Sequence, residues 1–147
     1  MEMRRHTILV LGAGGWGTAL AVLLRRNGHR VRIWCYDFAE VENIRNHGEN
    51  TRFLPGVPVP ADIETSTEMG ELLPGVSMIV AASPAQHTRE VVRELARHGP
   101  SPCPVINVAK GIENKTLKRV SQVLIEELPP FFHGSIGTMS GPSHAEE

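Results

Sequence analysis

The chain reads as a doubly wound α/β domain with a mostly parallel sheet, and three observations lead there. Short apolar, β-branched runs alternate with helix-patterned segments along the whole length. The first of these runs ends in a glycine-rich turn that opens a helix. Runs such as TILVL and VSMIVAA are almost continuously apolar, as strands buried on both faces of a sheet must be.

Taken in order, Thr7 to Leu11 (TILVL) is bounded by glycine and reads as a buried strand. Gly15 to Asn27 reads as a helix, with Gly28 supplying its C-terminal stop. Arg30 to Tyr36 (RVRIWCY) alternates polar and apolar residues, as a second strand should. Ala39 to His47 is helical in composition, and the proline-rich LPGVPVP of Leu54 to Pro60 reads as an ordered loop. Val76 to Ala82 is a third strand, ended by Ser83-Pro84. His87 to His98 follows as a helix with Val91, Val92, Leu95 and Ala96 on one face. Pro104 to Ala109 (PVINVA) is a fourth strand. Leu117 to Leu128 is a further helix, and Gly134 to Ser140 a weaker strand.

Composition narrows the function classes. The 147 residues are 41% hydrophobic and 21% charged, enough for one globular domain with a real core. A formal net charge of −1 provides no broad basic field, which disfavours nucleic acid and anionic membrane as partners. Two cysteines, Cys35 and Cys103, are too few for a disulfide framework and sit among apolar residues. A reduced, cytoplasmic protein is the simplest fit. The 7 histidines show neither HExxH nor zinc-finger spacing, so no metal is expected. The run LVLGAGGWGTALAVLL (Leu9 to Leu24), behind Arg4, Arg5 and His6, imitates a signal peptide. Its glycines and its length argue against both a signal and a membrane-spanning helix.

Gly12, Gly14 and Gly17 form G-x-G-x-x-G between the first strand and the first helix. That context makes the pattern a dinucleotide fingerprint and the domain Rossmann-type. Gly12 permits the tight turn, Gly14 lets backbone approach a pyrophosphate, and Gly17 allows close helix–strand packing. The helix N-terminus then offers N–H groups and partial positive charge to the phosphates. Asp37 stands 20 residues after Gly17, where a carboxylate binding ribose hydroxyls belongs, although it equally suits a cap for the next helix. Tyr36 beside it offers a face for adenine. No arginine occupies position 36 or 37, and Arg32 lies inside the strand, so NAD or NADP both remain candidates.

Five segments occur in a recognisable sequence. They are GAGGWGTALA (Gly12 to Ala21), RFLPG (Arg52 to Gly56), the PxQxxR run Pro84 to Arg89, AKGIE (Ala109 to Glu113) and SGPSHAEE (Ser140 to Glu147). Together they resemble the N-terminal half of bacterial NAD(P)-dependent glycerol-3-phosphate dehydrogenase. The glycine turn alone is generic, whereas KGIE and SGPS are specific.

The resemblance implies hydride transfer between sn-glycerol 3-phosphate and dihydroxyacetone phosphate, supplying the glycerol backbone of phospholipids. It implies dinucleotide contacts at Gly15, Trp16 and Tyr36, with Phe53 a further candidate. Lys110 would reach both cofactor and substrate, Gly141 and Ser143 the substrate, and Ala145 the cofactor. Read without the resemblance, Lys110 is an ordinary exposed lysine and Ser143 a helix N-cap. The resemblance also implies a continuation beyond Glu147, with a helical C-terminal domain carrying the proton-accepting lysine. The chain is then a truncated, dinucleotide-binding part of a two-domain enzyme, inactive by itself. A non-catalytic dinucleotide-binding module and a related hydroxy-acid dehydrogenase are the alternatives, and a homodimer is compatible with the chain.

Overall fold

The computed structural model describes residues 4–141. Its elements are β1 (Thr7–Leu11), α1 (Gly15–Arg26), β2 (Arg30–Trp34), α2 (Phe38–His47), β3 (Glu49–Asn50) and β4 (Leu54–Pro58). They continue with β5 (Glu64–Ser66), α3 (Met69–Leu72), β6 (Met78–Ala81), α4 (Ala85–Arg97), β7 (Val105–Asn107) and α5 (Val120–Glu127). A 3-10 turn, Pro130–Ser135, leads into β8 (Ile136–Thr138).

Six strands form one sheet in the order β5-β2-β1-β6-β7-β8, and every pairing in it is parallel. The order turns outward in both directions from β1 and β6, so the switch point lies between them. In open parallel sheets that is where the loops leaving the strands' carboxyl ends part and leave a crevice.

Both faces of β1 are buried, and its alternation sorts the core into two layers. Leu9 and Leu11 join Met69, Val92, Leu95, Leu124 and Phe132 on one face. Ile8 and Val10 join Ala21, Val22, Val41 and Ile44 on the other. Each such buried Val, Leu, Ile, Met or Phe side chain contributes roughly 1.5–3 kcal/mol relative to exposure. The strand pattern therefore carries information on which helices cover which face.

Several expected boundaries shift. β2 stops at Trp34 rather than Tyr36, because both flanking strands end at its partners Leu11 and Ser66; the Cys35 N–H makes the last bond, to the Ser66 carbonyl (3.1 Å). Tyr36 is left 82% exposed. The LPGVPVP segment is not wholly loop, since β4 pairs antiparallel with β3 in a separate two-stranded ribbon. The last long helix starts at Val120 rather than Leu117. Leu117 has φ 57° and lies in a turn closed by Glu113 N–H to Lys118 carbonyl (2.9 Å), so it packs into nothing and is 72% exposed. Of the expected final strand only Ile136–Thr138 pairs, with β7; Gly134 and Ser135 belong to the 3-10 turn. Cys35 and Cys103 are free and buried, as expected of small apolar residues. No helix among the described residues is long and apolar enough to cross a membrane.

Candidate functional site

The glycine turn sits at the switch point, and each glycine there has a different steric reason. Gly12 closes β1 with φ 119°, and a Cβ on it would lie 3.0 Å from the Ala82 carbonyl and the Ser83 nitrogen. The loops leaving β1 and β6 therefore touch backbone to backbone. A Cβ on Gly17 would lie 2.2 Å from the Gly12 carbonyl oxygen and 3.3 Å from the Ala82 Cβ, so only glycine lets α1 start this close to the sheet. A Cβ on Gly15 would lie 2.6 Å from the Phe53 carbonyl oxygen. Gly14 is different: nothing among the described residues lies within 4 Å of where its Cβ would stand. It is the N-cap of α1, and no side chain among the described residues caps that helix. The result is open space against an uncapped helix N-terminus, a fitting cradle for an anion.

The loop after β3 is drawn to this turn by Asn50, a residue the sequence reading did not single out. Asn50 is fully buried. Its side-chain amide donates to the Ala13 carbonyl (2.7 Å) and to Thr18 Oγ1 (2.9 Å), and its Oδ1 accepts from the Phe53 N–H (3.0 Å). Phe53 and Arg52 are thereby held beside the end of β2. The Arg52 guanidinium lies 4.8 Å from the Phe53 ring centroid.

Asp37 caps α2, its Oδ1 accepting from the Ala39 N–H (2.9 Å). Its Oδ2 stands 3.9 Å from Arg52 Nη1 and has no closer partner among the described residues. Glu40, one turn on, is 4% exposed; Arg52 Nη1 is 3.8 Å from its Oε2, while Oε1 has no hydrogen-bond partner among the described residues. Burial pushes the Glu40 carboxyl above its ordinary pKa, opposed by Arg52. Arg32 lies inside β2, as expected. It is buried and donates to the carbonyls of Leu72 (2.7 Å) and Pro74 (2.6 Å). Tyr36 shares with Trp34, His87 and Val91 a groove of about 390 Å³ between the end of β2 and α4.

A second cavity, about 570 Å³, lies on the other side of the switch point and is lined by Trp16, Lys110, Arg119, Thr138 and Met139 among others. Trp16 reaches it from the first turn of α1 and Lys110 from the segment after β7. Lys110 is exposed and forms no ion pair among the described residues. The loop that follows it is stapled down. The Gln86 amide donates to the Ile112 carbonyl (2.8 Å), and its oxygen accepts from the Asn114 N–H (2.9 Å). Arg89 forks onto Glu113 with bonds of 2.7 and 2.8 Å, and also pairs with Glu126 (3.0 Å) and Glu127. The Arg89 guanidinium, aided by Thr116, holds the Glu113 carboxyl down to about 2. Gly141 is exposed, two residues beyond the cavity-lining Met139. Ser143 and Ala145 lie outside the described residues.

So Gly12, Gly14, Gly15 and Gly17 sit at the switch point, with Phe53 against Gly15 and Asp37 beside Arg52, while Trp16 and Lys110 line the cavity. The family model for the N-terminus of NAD-dependent glycerol-3-phosphate dehydrogenase matches residues 7–147. The chain belongs to this family.

A glycerol-3-phosphate dehydrogenase (NAD(P)+) of Geobacillus thermodenitrificans is 44% identical over 142 residues, covering 97% of this chain and 41% of that protein. One from Bacillus thuringiensis is 41% identical over 140 residues, 95% of this chain and 41% of that protein. The chain thus spans about two fifths of these curated relatives (41%). Among solved structures, glycerol-3-phosphate dehydrogenase from Coxiella burnetii superposes with a TM-score of 0.78 at 29% identity, covering 91% of this chain and 39% of that one. A prephenate dehydrogenase from A. aeolicus, at TM-score 0.63 and 16% identity over 92% of this chain and 41% of its own, shares the fold.

Proposed function

We infer that this chain is the dinucleotide-binding part of an NAD(P)-dependent glycerol-3-phosphate dehydrogenase, a cytoplasmic two-domain enzyme that forms glycerol 3-phosphate for phospholipid synthesis. The carrying observation is the contrast among the glycines: Gly12 and Gly17 are barred from a Cβ by backbone, whereas Gly14 faces open space at an uncapped helix N-terminus. A purely structural turn has no need of that vacancy.

In this reading the N–H groups opening α1 hold the pyrophosphate. The free Oδ2 of Asp37 accepts from ribose hydroxyls while Oδ1 keeps capping α2. Tyr36 and the groove beside Trp34 take the adenine, with Phe53 closing over the turn. Gly15 and Trp16 contact the dinucleotide from the first turn of α1, and the nicotinamide end lies toward the 570 Å³ cavity. The bound dinucleotide supplies the hydride. Lys110 holds the phosphorylated three-carbon substrate in that cavity and stabilises negative charge growing on the substrate's reacting oxygen. Gly141 and Ser143 complete the substrate contacts, and Ala145 a cofactor contact. The proton-accepting lysine belongs to the remainder of the enzyme, so this chain has negligible turnover. A homodimeric assembly is part of the same proposal.

Calorimetric titration with NADH and NADPH tests the reading. Saturable binding that disappears in Gly14→Val supports it, because the valine side chain occupies space the fold itself does not use. A folded wild-type chain that binds neither dinucleotide overturns it.

A further inference from the structure

The carboxylate at the end of β2 is not alone. The structure places a 64% exposed guanidinium, that of Arg52, beside it, from a loop 15 residues further along the chain. We propose that Arg52 is the residue through which the site accepts a dinucleotide bearing a 2′-phosphate, so that Asp37 and Arg52 together make one subsite serve both NAD and NADP. This deepens the dinucleotide reading above and rests on it.

A ribose whose hydroxyls meet Asp37 Oδ2 lies within contact distance of Arg52, since Nη1 stands only 3.9 Å from that oxygen. Left to itself, Asp37 would exclude a 2′-phosphate by like-charge repulsion, and the buried Glu40 carboxylate behind it would add to the exclusion. Arg52 lies between both carboxylates and offsets them. Neither approach is a tight hydrogen bond, at 3.9 and 3.8 Å, so the fork of N–H donors is not committed to either partner. An uncommitted guanidinium suits a phosphate, which it can grip with two parallel bonds.

The arm is also built to stay in place. Its neighbour Phe53 is pinned by the buried Asn50, and its carbonyl presses on Gly15. The Arg52 guanidinium rests against the Phe53 ring at 4.8 Å. The ring contact keeps the guanidinium near the end of β2, while its exposure leaves the fork free to turn toward an anion. With a plain ribose, Arg52 keeps its place between Asp37 and Glu40, and Asp37 Oδ2 is available to the hydroxyls. With a 2′-phosphate, the arginine shifts its fork outward to the anion.

The test is titration of wild type, Arg52→Gln, Arg52→Lys and Asp37→Asn with NADH and NADPH, and with ADP and adenosine 2′,5′-bisphosphate as minimal probes. Circular dichroism confirms folding; Arg52 is exposed and asparagine retains the cap at position 37. Arg52→Gln should lose roughly tenfold to hundredfold in affinity for NADPH and the bisphosphate, the range of one charge-assisted bond, with NADH and ADP little changed. Arg52→Lys should fall between, and Asp37→Asn should raise the NADPH-to-NADH affinity ratio. Equal losses for both cofactors, or no change in the ratio, would make Arg52 a structural bridge and overturn the proposal. A folded wild type that binds NADH but not NADPH overturns it while sparing the dinucleotide reading. One that binds neither overturns both.

Discussion

Replacing Gly17 with alanine separates the packing role of the glycine turn from its ligand role, especially when compared with Gly14→Ala. At position 17 the new methyl would stand 2.2 Å from the Gly12 carbonyl oxygen, a contact with backbone rather than with a flexible side chain. Relief requires the Gly12 carbonyl and α1 to separate until that 2.2 Å reaches the 3.4 Å at which ordinary van der Waals contact begins. The buried bonds from Asn50 to Ala13 and Thr18 resist that movement. Overpacking of this kind costs about 3 kcal/mol at the upper end of its usual range. Alanine's better helix propensity returns about 1 kcal/mol. A net loss of about 2 kcal/mol remains, which lowers the melting temperature of a chain this long by about 4–8 °C. At position 14 the methyl meets nothing and φ is −68°, so stability should change by no more than about 0.5 kcal/mol. Urea denaturation and thermal melts of the two variants read this directly. Gly17→Ala as stable as wild type, or Gly14→Ala losing as much as Gly17→Ala, would refute the steric reasoning.

Asn50→Ala should destabilise the domain by about 1–3 kcal/mol, because the Phe53 N–H loses its acceptor and the Ala13 carbonyl keeps only the longer bond from Thr18 Oγ1 (3.4 Å). The same variant should weaken dinucleotide affinity, since Arg52 and Phe53 lose their anchor; denaturation and titration check the two effects separately. Glu113 gives a pH dependence. Its folded carboxyl is held down to about 2 by Arg89, below its ordinary value of 4.5. Its stabilising contribution is therefore complete above the ordinary value and lost as pH falls from there toward 2. Urea midpoints measured from pH 6 down to pH 2 should fall less steeply in Glu113→Gln than in wild type, and parallel curves would count against the Arg89 pair.

The sequence was most informative where the pattern is local. TILVL, the three glycines and the helix after them lie within 20 residues, so strand, turn and helix could be read together. β5 was invisible because Glu64–Ser66 carries no apolar run; it is a strand only through its pairing with Arg32 to Trp34 of β2. Leu117 matched the helical spacing of Val120 and Leu124, but the Glu113–Lys118 turn holds it in a left-handed conformation outside the helix. The site divides in the same way. Asp37 was legible as either cap or ribose carboxylate; the cap is present on one oxygen, and the other is left open. Arg52 gave no such signal, because what brings it to Asp37 is the buried amide of Asn50 and the missing side chain of Gly15.

The parallel pairing of β1 with β6 has a consequence for how this chain acquires its crevice during synthesis. Thr7 and Ser77, which meet at the start of that pairing, are 70 residues apart in sequence. The turn at Gly12 emerges from the ribosome early, yet the opposite wall of the crevice, at Ala82 and Ser83, emerges only after β2, α2 and the β3–β4 ribbon. Closing so large a loop is slow compared with forming α1 alone. A nascent chain shorter than about 85 residues therefore has the glycine fingerprint but only half of its cleft, and ligand capture must wait for the sheet to gain its fourth parallel strand.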